Sequence, residues 1–355
     1  MATRPIALLL VLLAVAAPTT ALRAQLPVRA PGGTLTGTVR DSATGKAVGY
    51  ALVIVVGGEQ RVFASESGRF VLTGLASGRL VLRIQQIGYR AATIPLAVNA
   101  APGISSGAPG LEVTLVRQPV VLPEVVVQGD VCSGTEALAS TAEGGTVIDE
   151  AVKNAERILV LEKSYPFRAV FEQTAFQLDS AEKQVSYRTD TIRYDTRGLV
   201  GYRRGRVLEG RRGPREVANY FTTSDLARVE FQKWHCFWYA GRDTTNDGLP
   251  AHRIDFAPVA GVRSPDWAGS LLIDSTTTAL VRSEARLVNL RSRETGFTSA
   301  RCTVLYREIV PTLMVESLAG CLTSRSTARL PYTQARWVLI RFGFIGKSPV
   351  PPSPR

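Results

Sequence analysis

The sequence predicts a mainly β protein. A seven-stranded sandwich comes first, followed by a domain built on one antiparallel, curved, half-barrel-like sheet with a single helix near its start. Three observations predict this. Between Gly33 and Leu115, short runs of strand-forming residues are separated by turn signals about every 8 to 12 residues. Residues 146–163 carry Ile148, Ala151, Val152, Ala155, Ile158 and Leu159 at helical spacing. After Phe167 the runs lengthen and follow one another as a meander.

Within the sandwich, Leu35 to Arg40 reads as the first strand. Asp41-Ser-Ala-Thr-Gly45 closes it as a turn, because Asp can accept bonds from the backbone ahead and Gly tolerates positive φ. Ala51 to Val56 is an apolar second strand, Glu66-Ser-Gly68 a tight turn, and Leu80 to Gln85 alternates as a half-buried strand should. Ile94 to Val98 and Leu111 to Leu115 complete the set.

Several short motifs fall in fixed order along this stretch: Gly37-Thr-Val-Arg-Asp41, Thr44-Gly45-Lys-Ala-Val48, Ala51-Leu-Val53, Ser67-Gly68-Arg-Phe70, Leu75-Ala-Ser-Gly78 and Ile87-Gly88-Tyr89. The run resembles the carboxypeptidase regulatory-like domain, with Ala47 where Pro is usual and Ser67 where Asp is usual. The resemblance implies a transthyretin-like sandwich and a non-catalytic accessory module, with Phe70 and Tyr89 filling the space between sheets. Val120-Val-Leu-Pro-Glu-Val-Val-Val127 then resembles the stretch that follows this module in outer-membrane receptors, but the remaining chain is too short for a plug and a roughly 22-stranded barrel.

In the second domain, Trp234-His-Cys-Phe237, Ile254-Asp-Phe256-Ala-Pro258, Trp267-Ala-Gly269-Ser-Leu271-Leu-Ile-Asp274 and Thr278-Ala-Leu280-Val-Arg282 resemble the domain that follows the regulatory-like module in some exported bacterial proteins. They are also similar to the half-barrel of the lipoprotein-carrier family. Thr146 is a candidate cap for the helix, with Asp149 three residues later. The domain reading is residues 1–24 signal peptide, 33–117 sandwich, 118–145 linker, 146–345 β domain and 346–355 disordered tail.

The compartment follows from the first residues. Arg4, the apolar run Ile6 to Pro18, and small residues at Ala21 and Ala24 make the three-part pattern of a secretory signal. The chain is expected in the periplasm, on the outer-membrane face or secreted. No later run is long enough for a membrane-spanning helix. Four cysteines in an exported chain read as two disulfides. Cys302 and Cys321 flank a turn at Pro311, which places them opposite one another; Cys132 and Cys236 are then left to each other.

The formal charge is +12, carried almost wholly by arginine. Arg203, Arg204, Arg206, Arg211 and Arg212 concentrate it, a candidate anion-binding segment or a solvated loop. An exported chain does not meet nucleic acid, so the expected partners are envelope glycan, lipid or another envelope protein. Trp234 and Trp238, read on one strand, form a candidate aromatic contact strip.

No cofactor or metal site is expected: His235 and His252 are the only histidines and no cysteine pair has zinc spacing. His235 and Cys236 alternate across a strand and so face apart, against a nucleophile–base pair. Asp255, Asp266 and Asp274 are the acids a hydrolase would draw on. The sequence thus points to a non-catalytic envelope binding or scaffolding protein, with a lipid or lipoprotein carrier and a hydrolase as alternatives.

Overall fold

The computed structural model describes residues 33–98, 110–118, 147–197, 201–210, 217–291, 296–310, 313–325 and 331–349. The expected signal peptide, most of the expected linker, Thr146, Cys132, Arg211, Arg212 and the last six residues of the expected tail lie outside the described residues.

The sandwich strands are β1 (Gly33–Asp41), β2 (Leu52–Val55), β3 (Arg61–Phe63), β4 (Arg69–Leu75), β5 (Gly78–Gln85), β6 (Ala92–Val98) and β7 (Leu111–Leu115). They form a sheet β4-β1-β7 and a sheet β3-β2-β5-β6. Alternation decides what is buried: Val39, Phe70, Leu72, Leu82, Ile84, Val113 and Leu115 point between the sheets. The first turn forms as its residues dictate. Asp41 Oδ1 accepts from the N–H groups of Ala43 and Thr44 at 3.0 and 2.9 Å, and Gly45 takes φ 66°. The other oxygen of Asp41 accepts from the Tyr89 hydroxyl at 3.0 Å and from Arg117 at 2.7 Å, which ties the last strand back to the first turn. These bonds hold the Asp41 carboxyl well below the usual carboxylate range.

The second part begins with α1 (Val147–Ser164) and continues through β8 (Phe167–Leu178), β9 (Gln184–Asp195), the short β10 (Leu208–Glu209) and β11 (Val217–Ala218), a 3₁₀ turn (Thr223–Ala227) and α2 (Val229–Trp234). Then come β12 (His235–Thr244), β13 (Pro250–Pro258), β14 (Asp266–Asp274), β15 (Leu280–Val288), β16 (Phe297–Val310), β17 (Leu313–Arg325) and β18 (Tyr332–Phe344). Nine strands make one open antiparallel sheet in the order β12-β13-β14-β15-β16-β17-β18-β8-β9. The single strand expected to carry both Trp234 and Trp238 is corrected: Trp234 ends α2, and β12 begins at His235. The helix forms because Phe231 and His235, four residues apart, stack at 3.9 Å and 8° in the core, with His235 Nδ1 3.0 Å from the Phe231 carbonyl oxygen.

Helix α1 packs on one face of this sheet, here the inner face. Val147, Ala151 and Ala155 join Ile254, Phe256, Trp267, Leu271, Ala285, Cys302 and Val304 in one core. Each large side chain so buried contributes roughly 1.5–3 kcal/mol. The opposite side of α1 is also buried, against the sandwich, although it is polar. Glu150 accepts from the Gly88 N–H at 2.9 Å, and Lys153 donates to the Tyr89 carbonyl at 2.7 Å and to Glu150 at 2.6 Å. Arg157 donates to Gln86 Oε1 and to the Tyr50 carbonyl, both at 2.8 Å, and its burial lowers its pKa to about 9. Asn154 reaches the sheet itself, donating to the Thr278 carbonyl at 3.0 Å and accepting from the Leu280 N–H at 3.2 Å. The helix therefore serves both layers, and its polar face satisfies backbone groups that would otherwise be buried without partners.

Candidate functional site

The inner face is only half covered. Over β12 to β16 it is filled by α1 together with Phe221, Leu226 and Phe231. Where α1 meets β8 and β17 a cavity of about 40 Å³ remains, lined by Ile158, Phe167, Phe171, Tyr194, Glu162 and Glu316 among others. A drug-sized or acyl ligand needs on the order of 300 Å³ or more. Burial pushes the carboxyl of Glu316 up to about 7, while Glu162, raised in the same way, pairs with Arg228 at 3.3 Å.

Beyond the helix, strand register brings three rows of inner-face residues into the open. The first runs Ala319, Trp337, Gln173, Asp190 across β17, β18, β8 and β9. The second runs Cys321, Ala335, Ala175, Arg188, and the third Thr323, Thr333, Gln177, Ser186. Directly paired residues share a face, so these rows lie side by side. On β18 and β8 the middle row is small, Ala335 and Ala175, where the first row carries Trp337 and Gln173. The result is a trough over β8 and β9, with Gln173 and Asp190 on one side, Gln177 and Ser186 on the other and Ala175 and Arg188 between them; Trp337 and Ala335 continue the first two rows on β18. Its open volume over β8 and β9 is about 460 Å³.

Chemically the trough is polar and planar. Arg188 Nε sits 2.5 Å from Asp190 Oδ2, which orients the carboxylate, and Gln177 Nε2 donates to Thr333 Oγ1 at 3.2 Å. Two amides, a carboxylate and a guanidinium present donors and acceptors along the rows that a half-buried indole continues.

Cys302 and Cys321 lie opposite one another and form a disulfide between β16 and β17, closing the inner end of the middle row. Cys236 is disulfide-bonded as well; its expected partner, Cys132, lies outside the described residues. Trp234 and Trp238 do not share a strand, because Trp234 ends α2, whereas Trp238, on β12, is 40 % exposed. Trp234 packs with Cys236, Val259 and Val262, and Arg204 lies over its ring at 3.7 Å, so one of the arginines and one of the tryptophans meet. Arg203, Arg204 and Arg206 are exposed; Arg211 and Arg212 are outside the described residues.

The three aspartates are each engaged in local structure. Asp255 pairs with Arg253 at 2.6 Å, and Asp274 accepts from the N–H groups of Thr276 and Thr277 in a turn. The fully buried Asp266 accepts from the Tyr202 hydroxyl at 2.6 Å and the Trp267 N–H at 2.9 Å. His235 and Cys236 lie in separate cores, the first among Phe231, Phe256 and Tyr202, the second with Val259 and Val262. Among the described residues no group of three or more metal-ligating side chains converges.

Three solved structures show distant likeness. A DUF1329 family protein from Desulfovibrio piger has a TM-score of 0.31 at 9 % identity, covering 57 % of this chain and 95 % of its own. A candidate carbohydrate binding protein from Bacteroides uniformis has a TM-score of 0.20 at 11 % identity, covering 88 % of this chain and 99 % of its own. A candidate membrane-associated protein of unknown function from Bacteroides fragilis has a TM-score of 0.18 at 12 % identity, covering 86 % of this chain and 94 % of its own. Scores this low transfer neither fold nor function. Comparison with curated proteins gave no match. Residues 34–116, the sandwich, match the model of the carboxypeptidase regulatory-like domain, a non-catalytic module.

Proposed function

We propose that this protein is an exported, non-catalytic glycan-binding protein of the cell envelope, and that its ligand lies in the inner-face trough across β18, β8 and β9. The observation that carries the reading is the row Trp337–Gln173–Asp190 standing over the alanine floor. A pyranose ring offers an apolar C–H face and a rim of hydroxyls. An indole covers the first, while amide, carboxylate and guanidinium groups each bond two neighbouring hydroxyls. The trough volume of about 460 Å³ suits a short oligosaccharide segment. The signal pattern at Arg4, Ile6 to Pro18 and Ala24 supports export. The filled apolar half of the inner face argues against an acyl-chain carrier.

Titration calorimetry against a panel of envelope oligosaccharides tests this. At least one glycan binds, and Gln173→Ala together with Trp337→Ala lowers affinity by about tenfold or more, since each lost charged or stacked contact is worth on the order of 1–2 kcal/mol. Binding that survives both changes removes the trough as the site.

A further inference from the structure

At the other end of the sheet a short arm crosses the covered inner face and ends in a cationic turn. Tyr202 anchors it. Its N–H donates to Asp225 Oδ1 at 2.8 Å, its hydroxyl donates to Asp266 at 2.6 Å, and its ring meets Phe231 edge-on at 4.9 Å. The chain then reverses: the Arg206 N–H donates to the Arg203 carbonyl at 3.1 Å and Gly205 takes φ 75°, as the third position of a type II turn requires. Arg203, Arg204 and Arg206 are thereby displayed on a fixed support.

Beside the turn lies α2. Arg204 sits over the Trp234 ring at 3.7 Å and the Lys233 ammonium lies 5.2 Å from the same ring. Arg206 is neutralised by Glu209 at 3.1 Å. Among the described residues no carboxylate forms an ion pair with Arg203, Arg204 or Lys233; α2 carries one exposed acid, Glu230. Val229, one helical turn before Lys233, is 80 % exposed. Trp234 rests on Val259 and Val262, which fixes the ring.

Two cations against an anchored indole, a third on the adjoining turn and an aliphatic side chain on the same short helix match the headgroup zone of an anionic bilayer. There cations meet lipid phosphate, an amphipathic ring sits at headgroup level, and an aliphatic group reaches the acyl boundary. We propose that Arg203, Arg204, Lys233, Trp234 and Val229 form a docking patch for an anionic lipid surface. Among the described residues no helix is long and apolar enough to cross a membrane. The patch adjoins the β12 edge, whereas the trough lies at the opposite edge strand, β9. This inference does not depend on the glycan reading.

Vesicle co-sedimentation of the chain purified from an exporting host tests it, with phosphatidylcholine vesicles with and without phosphatidylglycerol. Each basic group near such a surface is worth roughly fivefold in partitioning. The protein is expected to prefer the anionic vesicles, with binding that weakens as salt rises. Arg204→Gln with Lys233→Gln lowers partitioning on the order of 10- to 30-fold, whereas Arg204→Lys leaves it nearly unchanged. Circular dichroism verifies that each variant is folded. Arg286→Gln with Arg301→Gln, which removes the same charge from the opposite face of the sheet, leaves binding intact. The proposal fails if the two double variants lose binding equally, because net charge is then the cause. It fails equally if anionic vesicles are not preferred, or if millimolar inorganic phosphate releases the bound protein, which would mark a site for soluble phosphate.

Discussion

The two halves of the inner face follow the same alternation and end differently. Over β12 to β16 the inward positions are Phe256, Trp267, Leu271, Ala285 and Val304, and α1 covers them. Over β18, β8 and β9 they are Trp337, Gln173, Ala175, Arg188 and Asp190, and they stay open. A sheet face is thus no functional unit by itself. One continuous register supplies a core where its side chains are apolar and an open polar trough where they are small, planar and polar.

The contrast can be broken most strongly in the covered half. Leu271→Ala, at a position with no exposure, is expected to lower unfolding free energy by about 2–5 kcal/mol in urea titration. The open-half change Gln173→Ala should stay within about 0.5 kcal/mol of the parent. Similar losses from both would mean that the trough is closed in solution.

The disulfide marks the border between the halves. Cys302→Ala with Cys321→Ala opens a loop with a sequence separation of 19 and is expected to cost about 3 kcal/mol by the chain-entropy account. The same variant sharpens the comparison if glycan affinity falls too, since Cys321 ends the row that floors the trough.

A smaller effect sits at Glu316. Its folded-state pKa of about 7 lies above the ordinary value of 4.5 because of burial, with Glu162 and Asp225 adding in the same direction and a Thr223 hydrogen bond opposing. Tyr194 lines the same cavity, and Arg228 pairs with Glu162. A raised acid is neutral in both states below pH 4.5, so its contribution to stability is fully present there. That contribution is lost as pH rises through about 7, on the order of 1–2 kcal/mol after allowing for solvent screening. Glu316→Gln should flatten thermal stability across that window; an unchanged slope would assign it elsewhere.

The sandwich was legible in sequence because its signals are local. Asp41, Gly45 and Gly68 act within a few residues of themselves, and α1 announces itself by period. The arm and α2 were not legible. Val229 to Trp234 is rich in aromatic and β-branched residues and reads as strand, whereas the helix is held by Phe231 packing on Tyr202, Phe221 and Phe256 from distant parts of the chain. The trough was hidden for another reason. Gln173, Ala175 and Gln177 alternate visibly, as do Ser186, Arg188 and Asp190, but their meeting with Trp337 depends on a pairing between strands far apart in the chain. The polar side of α1 gave no local sign of its place: Glu150, Lys153 and Arg157 are charged, yet they are buried on a second layer.

That layer has a consequence for the order in which the protein matures. In chain order the sandwich is complete at Leu115, but Leu52 and Phe63 are buried together with Ile158 and Leu161 of α1. Until α1 has emerged and folded, both side chains face water on an otherwise finished module. An isolated helix of 18 residues is marginal in water and needs its sheet to persist. The first-made domain therefore keeps a sticky spot until α1 is held on its sheet, and a truncated chain ending after Leu115 should bind holdase chaperones that the full-length protein ignores.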